Sequence, residues 1–436
     1  MLLVGGNVNN TANAGVGYFN VNNSLGNVNA NIGARLTKEV KQGFRLSAPA
    51  LQVNGFQPTY TLVTSLNEWG KLPHKKRKLN MKRIGYIFTE LASIENLREA
   101  HIEAKRSRKP KRRRGAIRFE KHLEENLRDL HERLVAETWR MHPYHCMTRI
   151  ERGKRREIYY SPAHEDSIVQ HAILRTLGKR IEKKLIRDTY ASIKKRGTDD
   201  GIDRLVSFIL AIPDGQIVYV WKIDLRKFYQ SIKHYPLFVA IMSAVKEQKC
   251  VRLLTRIVDS HSPGIPIGNP ISPLFANLLV SEFDHTVKEK FRFKGYFRYL
   301  DDIVVVATGE DAKERLKALS AYAHEYFDGI GLDIKPNEQV FPIDRFGIDF
   351  LGYVIGRKKM VLRKKTERRF RRAAARFKRN KTPHNRKPLS SYWGMLKRMP
   401  RGLRLWFSLF TESIYNLEAS DEQHESLKTP APLLPL

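Results

Sequence analysis

The chain has 436 residues, of which 79 are Lys or Arg and 45 are Asp or Glu, so its formal net charge is +34. A charge of this size repels itself unless a polyanion neutralises it, which indicates a nucleic-acid partner. Hydrophobic residues make up 42% of the chain, which excludes wholesale disorder. The sequence contains no apolar run of about 18 residues, so it predicts no membrane-spanning helix. The two cysteines exclude a disulfide framework and suit a reducing compartment such as the cytoplasm.

The N-terminal residues differ in composition from the rest of the chain. Residues 1–36 are rich in Asn and Gly, nearly uncharged and without helical or strand periodicity, which predicts a low-complexity segment. Residues 37–80 end in a run of Lys and Arg and are interpreted as a basic linker. We therefore expect 1–80 to be a disordered leader and the folded part to begin near Met81.

Helical spacing of apolar residues over 81–104 predicts helix, with a new start at Ser93. A basic loop is expected next, because Pro110 and Gly115 interrupt the pattern. Its cations suit contacts with phosphates. These candidate nucleic-acid-binding residues are Lys105, Arg106, Arg108, Lys111, Arg112, Arg113 and Arg114.

The next elements are predicted from the period of the apolar residues. Two strand-like runs near 145–150 and 156–160 flank Gly153 as in a hairpin. From residue 217 onward, short apolar runs alternate with helical segments, which predicts an α+β or α/β sheet domain. The remaining predicted elements are helices over 116–140, 165–187, 273–290, 311–329 and 361–380, the last strongly basic, and strands over 217–223 and 303–307.

Three carboxylates follow or precede strand-like segments. Asp301 and Asp302 lie on a predicted turn, where adjacent carboxylates repel each other unless a cation lies between them. Asp224 ends the run 217–223. Such carboxylates on neighbouring strand ends are able to hold two Mg²⁺ ions for in-line displacement at a nucleotide phosphate. Taken singly, the pair also fits a solvated turn, and Asp224 a helix cap.

The order of these motifs resembles that of a reverse transcriptase over roughly residues 81–400. Residues 222–232 resemble the first palm motif, and 299–302 the YxDD box. Further similar segments are 266–277 (the Gly-loop and its helix), 331–335 (the lysine motif), 350–353 (the primer grip), and 153–159 and 166–172 (fingers motifs of bacterial members).

The resemblance implies an α+β right-hand polymerase with fingers, a palm with an antiparallel sheet and a short helical thumb. Its expected parts are an N-terminal helical region with fingers over 81–215, the palm over 216–356, a basic thumb over 357–418 and a tail over 419–436.

The resemblance also implies a role for each matching residue. Asp224, Asp301 and Asp302, with the Leu225 carbonyl, would bind two Mg²⁺ ions, or Mn²⁺ as a substitute. Lys335 would protonate the leaving pyrophosphate, although it also fits a solvated lysine. The implied dNTP-binding residues are Phe228, Tyr229 as the steric gate against a ribose 2′-OH, Ile267, Gly268, Lys154 and Arg156. The implied primer grip is Phe350, Leu351, Gly352 and Tyr353, and the thumb residues that would contact the duplex are Arg368 and Arg372.

Ile267 precedes the loop glycine where most members have Gln, which resembles the reverse transcriptases of diversity-generating retroelements. An aliphatic residue removes a hydrogen bond that helps to check the incoming nucleotide, which relaxes discrimination. The resemblance to this subfamily implies that the product is cDNA mutated at template adenines. Residues 1–36 resemble the Asn-rich repeat that such elements diversify, so we expect a translated template repeat and a natural start at Met81.

The implied partners are template RNA, primer or cDNA, dNTPs and a small basic oligomeric accessory protein, and no membrane is implied. The implied location is the bacterial cytoplasm, with the chain encoded by the bacterium or by a phage. The alternatives are a retron or group II intron-like reverse transcriptase, or a catalytically silent RNA-binding protein. The three intact carboxylates favour an enzyme.

Overall fold

The computed structural model describes residues 83–107, 114–151 and 154–399. The predicted leader and tail therefore lie outside the described residues, as do Arg108, Lys111, Arg112 and Arg113. Within the described ranges, no helix combines the length and apolar character needed to cross a membrane.

The N-terminal region consists of helices α1 Phe88–Ala92, α2 Ile94–Ser107, α3 Arg114–Glu120 and α4 Leu123–Val135. Ser93 Oγ accepts a hydrogen bond from Asn96 N at 3.2 Å, so the helix start predicted at Ser93 is confirmed. Lys105 and Arg106 lie in the last turn of α2 and not in the predicted loop. The helix continues this far because Ala104 extends its buried apolar face.

The predicted hairpin is confirmed as two antiparallel strands, β1 His145–Glu151 and β2 Lys154–Tyr160. Helix α5 His164–Ile173, a π-helical turn Leu174–Gly178 and α6 Lys179–Glu182 follow. The helical stretch predicted over 165–187 is therefore shorter and contains an irregular turn.

The central sheet has four strands in the order β4-β5-β3-β6, and all neighbours are antiparallel. Its strands are β3 Val218–Asp224, β4 Gly295–Tyr299, β5 Asp302–Thr308 and β6 Gln339–Pro342. Successive side chains of a strand point to opposite faces, and here each face is covered. Ile303 and Val305 belong to one buried core and Val304 and Val306 to another. The antiparallel sheet confirms the α+β alternative.

The first core is formed with helices, and the second lies against a smaller sheet and the C-terminal helices. The helices that precede, connect or follow the central strands are α7 Thr198–Leu210, α8 Phe228–Ser231, α9 His234–Ala244, α10 Gln248–Asp259, α11 Ser272–Glu289, α12 Ala312–Gly329 and α13 Ile343–Phe346. The smaller antiparallel sheet has the order β7-β8-β9, with β7 Ile348–Phe350, β8 Tyr353–Ile355 and β9 Met360–Leu362.

Two helices end the described chain, α14 Lys364–Arg379 and α15 Pro383–Leu396. The predicted basic helix is confirmed as α14, which buries Phe370, Ala374 and Phe377. The rings of Phe370 and Tyr392 lie 5.6 Å apart between centroids, so α15 packs against α14. The boundaries between fingers, palm and thumb stay a prediction.

Candidate active site

Asp224 and Asp302 are direct neighbours across two strands. Asp224, the last residue of β3, is the register partner of Asp302, the first residue of β5. Side chains that oppose each other in this way have Cβ atoms about 4.5–5.5 Å apart. Leu225 N donates to Asp301 O at 3.1 Å, which holds the third carboxylate residue at the same strand end. The structure thus brings the three predicted carboxylates together, while their role as metal ligands stays a prediction.

A buried ion pair supports the turn that carries Asp301. Arg298 is fully buried in β4, and its Nε and Nη2 donate to the Asp284 carboxylate at 2.8 and 2.6 Å. Its Nη1 donates to the Leu300 carbonyl at 3.3 Å. Leu300 has φ +55°, a left-handed conformation that costs a side-chain-bearing residue about 1 kcal/mol or more. Arg298 therefore stabilises the strained residue immediately before the Asp pair.

The negative charges of Asp301 and Asp302 are only partly compensated by neighbouring donors and cations. Burial and the nearby charge of Asp224 raise the pKa of Asp301 to about 6. Burial also raises the pKa of Asp302 to about 6, with the charge of Asp224 adding to the effect and Lys222 opposing it. The buried Oδ1 of Asp302 accepts no hydrogen bond from the described residues, and Lys222 Nζ lies 3.4 Å from it. Such a site favours an additional cation.

Lys335 lies beside Asp224 because its segment runs along the end of β3. Arg226 N donates to Asp333 O at 2.8 Å, and Lys335 N donates to Asp224 O at 2.9 Å. The Lys335 ammonium group forms an ion pair with Asp224 Oδ1. Its predicted role as a proton donor stays a prediction.

The donor set of this site fits a hard divalent cation. The three carboxylate residues lie at one strand end, one buried oxygen lacks a hydrogen-bond donor, and ammonium groups lie against two of the carboxylates. Oxygen ligands of this kind are those that Mg²⁺ and Mn²⁺ prefer. Asp224, Asp301 and Asp302 are therefore the residues that would hold the metal.

Phe228 and Tyr229 are the first residues of α8, which follows the end of β3. Phe228 is only 4% exposed and packs in the first core, while its contact with the incoming nucleotide stays a prediction. Tyr229 is half-buried. Burial and the charge of Asp301 raise the pKa of its hydroxyl, which indicates that the ring lies near the carboxylates.

The loop that carries Ile267 and Gly268 docks on the β1–β2 hairpin. Tyr159 N donates to Ile267 O at 2.8 Å. Gly268 has φ +123°, and a Cβ at this position would lie 2.4 Å from Tyr159 O, so only glycine fits. Arg156 is exposed on the same strand. Lys154 begins β2, and its side chain lies outside the described part of the structure.

The predicted primer grip is the β7–β8 hairpin. Phe350 and Tyr353 are paired and buried. Leu351 and Gly352 form the turn between them, with φ +50° and +98°. A two-residue hairpin turn with two positive φ angles matches the twist of its strands, which explains this geometry.

Two cations that the motifs did not assign a role contact Asp349 of this hairpin, and one of them, Lys222, also approaches Asp302. Lys222 lies two residues before Asp224 and therefore on the same face of β3. Its Nζ donates to the Asp349 carbonyl as well as approaching Asp302. Arg363 Nε donates to Asp349 Oδ1 at 2.7 Å. Lys222 could have been predicted to lie near the carboxylates, because residues two positions apart on a strand share a face.

The described basic residues differ in their availability for nucleic acid. Lys105 Nζ donates to Glu120 Oε1 at 2.6 Å and is thus engaged within the protein. Arg106 and Arg114 are exposed. Arg368 and Arg372 are exposed and one turn apart on α14, away from its buried face. A phosphate backbone is therefore able to reach the last four.

A second group of ligand-type side chains, His142, Glu165 and Asp166, lies near the start of α5. Glu165 accepts two hydrogen bonds from Arg133 at 3.1 and 2.8 Å. Asp166 accepts from Ser161 Oγ and, at 3.0 Å, from His142 N. These donors hold α5 in place, although burial still raises the pKa of Asp166 above its usual value. The group contains none of the residues predicted as metal ligands and is not our candidate for the catalytic metal site.

Comparison with known proteins finds similarity over the central part of the chain. Residues 160–355 match the family model described as reverse transcriptase (RNA-dependent DNA polymerase). The chain is 22% identical over 240 residues to Protein YkfC of Escherichia coli (strain K12), covering 45% of this chain and 62% of that protein. It is 25% identical over 206 residues to the Retron Ec73 reverse transcriptase of Escherichia coli, covering 44% and 61%. The chain thus spans about three fifths of the length of these curated relatives.

Among solved structures, similar chains include two telomerases from Candida Tropicalis. One, in complex with a TWJ fragment of telomeric RNA, has a TM-score of 0.41 at 12% identity, covering 70% of this chain and 59% of that one. The other, an apo form truncated from its C-terminal domain, has a TM-score of 0.40 at 15% identity, covering 51% and 55%. The family match and the antiparallel sheet confirm the expected α+β right-hand polymerase fold.

Proposed function

We propose that this chain, whose residues 160–355 form a reverse transcriptase domain, is an RNA-directed DNA polymerase that extends a primer 3′-OH with dNTPs on an RNA template. The observation that carries the proposal is the direct pairing of Asp224 with Asp302 at the strand end where Asp301 also lies. A silent RNA-binding protein has no need for three mutually repelling, half-buried carboxylates, so their retention favours an enzyme.

Two Mg²⁺ ions at this site would supply Lewis-acid chemistry, lowering the pKa of the primer hydroxyl and stabilising charge on the leaving pyrophosphate. Asp224, Asp301 and Asp302 would hold these ions, and Lys335, already beside Asp224, would donate a proton to the leaving group. Tyr229 lies near Asp301 and limits the space for a ribose 2′-OH.

The remaining proposed contacts orient the nucleic acid. The β7–β8 hairpin positions the primer end next to the carboxylates through the Lys222 contacts. Arg368 and Arg372 bind phosphates of the duplex, which is consistent with the formal charge of +34.

Our finer proposal is that the product is cDNA mutated at template adenines, made from a template-repeat RNA with a small basic accessory protein. It is supported by Ile267, whose side chain offers no hydrogen bond to a nucleotide or template base. The Asn-rich residues 1–36 also support it, because Asn codons begin with two adenines. A retron-type reverse transcriptase is the second candidate, favoured by the 25% identity to the Retron Ec73 enzyme.

The test is extension of a primed RNA template by the full chain, with and without the cognate RNA and accessory protein, followed by cDNA sequencing. Asp301→Ala/Asp302→Ala is expected to abolish Mg²⁺-dependent product. Glu310→Ala/Asp311→Ala is a matched control, because it removes an adjacent exposed acidic pair at the other end of β5 and should keep activity.

Substitutions clustered at template adenines would support the finer proposal, and faithful cDNA would favour the retron-type candidate. Equal product from the wild type and the Asp301/Asp302 variant, or none from the wild type under either condition, would refute the polymerase proposal.

A further inference from the structure

His234, at the first residue of α9, joins two segments that are separate in sequence. Its Nδ1 lies 3.2 Å from Asp259 Oδ1 at the end of α10. Its Nε2 lies 3.1 Å from the Gly264 carbonyl in the loop before α11. A second ring, that of His261, places Nδ1 3.4 Å from the same carbonyl. The Gly264 carbonyl is thus held mainly by His234.

Gly264 in turn lies against the backbone of Tyr229. Gly264 has φ +69°, and a Cβ on it would lie 2.3 Å from Tyr229 O, a distance that no side chain tolerates. Ile265 N donates to this same oxygen at 2.9 Å. The loop segment 264–265 is therefore held against the backbone of Tyr229, whose ring lies near Asp301.

The protonated form of His234 is able to donate a hydrogen bond from both ring nitrogens. The hydrogen bond with Asp259 raises the pKa of His234, the contact with the Gly264 carbonyl raises it further, and burial opposes both. A protonated imidazole donates from Nδ1 and Nε2 together, whereas the neutral ring donates from only one. Both acceptors are satisfied in the charged form.

We propose that His234 is a positioning residue for ribose selection: by holding the Gly264–Ile265 segment against Tyr229, it sets the distance between the Tyr229 ring and the sugar of the incoming nucleotide. This inference rests on the proposed function, in which Tyr229 is the residue that excludes the 2′-OH. Exclusion by contact depends on displacements of a few tenths of an ångström, because repulsion rises steeply at short range. A dNTP lacks the excluded group, so its incorporation tolerates the same displacement.

The experiment compares single-nucleotide incorporation of dNTPs and rNTPs by the full chain and measures the ratio of the two kcat/KM values. His234→Phe retains a flat ring but no donor, and we expect the ratio to fall about tenfold while dNTP incorporation stays within about threefold of wild type. His234→Gln keeps an amide donor for the Gly264 carbonyl and is expected to retain most of the discrimination. Tyr229→Ala gives the limit reached when the selecting ring is absent.

His285 provides a matched control elsewhere in the chain. Its Nδ1 lies 2.8 Å from the Glu289 carboxylate and its Nε2 2.9 Å from the Lys184 carbonyl, the same two kinds of contact that His234 makes. His285→Phe is expected to lower stability to a similar degree without changing the ribose ratio. A change in the ratio that appears in both histidine variants would overturn the proposal, since it would show a general effect of destabilisation.

The remaining outcomes distinguish a failure of the role proposed for His234 from a failure of the proposed polymerase function. An unchanged ratio in His234→Phe, with a lowered ratio in Tyr229→Ala, would overturn the role of His234 and leave the polymerase proposal intact. An unchanged ratio in Tyr229→Ala, or no incorporation by the wild type, would instead refute the function on which it rests. If His234→Phe does not fold, Asp259→Ala removes the carboxylate that orients the His234 ring and must lower the ratio in the same direction.

Discussion

Arg298 and Leu300 are joined by a hydrogen bond from a fully buried guanidinium group to the carbonyl of a left-handed residue, at 3.3 Å. Both residues precede the Asp pair in the same strand and turn. The bond ties the position of the pair to the ion pair between Arg298 and Asp284 on α11. The geometry of the carboxylates therefore depends on a charge that never reaches solvent.

Removing this charge is expected to lower both stability and activity. Arg298→Met leaves Asp284 as an uncompensated buried charge, and the free energy of unfolding should fall by about 3–5 kcal/mol. Adding Asp284→Leu removes that charge as well and should recover much of the stability. Because the double variant still lacks the bond to Leu300, primer extension should stay at least about tenfold below wild type.

Chemical denaturation and extension assays at one temperature separate these two effects. Recovery of activity in parallel with stability would show that Arg298 acts on the fold alone and that the Leu300 contact is immaterial to the carboxylates.

Asp302→Asn is expected to stabilise the metal-free protein while abolishing extension. The pKa of Asp302 is raised to about 6, so its ionised form costs the folded state free energy above that pH. In EDTA near pH 8 the amide should raise the free energy of unfolding by on the order of 1–2 kcal/mol, and the gain should vanish as the pH falls toward 4.

Thermal unfolding in EDTA and in Mg²⁺ measures this, with Asp311→Asn as the exposed control. A loss of stability for Asp302→Asn in EDTA would mean that the carboxylate is already compensated and that the site does not require a cation.

The central strands could be predicted from sequence because β5 is buried on both faces and reads as one continuous apolar run. The pairing of Asp224 with Asp302 could not, because register depends on partners that are distant in sequence. The burial of Phe228 could not be predicted either, because an aromatic residue beside a catalytic motif has the same sequence signal whether it faces the core or the substrate.

His234 and Lys222 escaped prediction for a related reason. Their importance lies in contacts with the Gly264 and Asp349 carbonyls, and a backbone acceptor leaves no mark in the sequence.

Lys222→Met is expected to slow extension by about tenfold, because it separates Asp302 from the β7–β8 hairpin. Arg363→Gln breaks the next contact, to the Asp349 side chain, and should also slow extension. If the contacts act in series, the two effects should be less than additive in the double variant. Single-turnover extension measures all three, with Lys313→Met on an exposed position of α12 as the control. Fully additive effects would exclude a link between the metal site and the hairpin.

The contribution of His234 to stability should depend on pH in a defined direction. Its pKa in the folded protein is raised above the ordinary value near 6.5, chiefly by the hydrogen bond with Asp259, so the charged ring stabilises the fold. That stabilisation is fully present below the unfolded pKa and is lost as the pH rises through the folded one. The titratable groups facing His234 are Asp259 and His261, and burial and the charge of His234 lower the pKa of His261. The difference in free energy of unfolding between wild type and His234→Phe should therefore be larger near pH 6 than near pH 9, as measured by urea denaturation at each pH. A difference that grows with pH would mean that the ring is held neutral, and that only one of its two contacts is a hydrogen bond at a time.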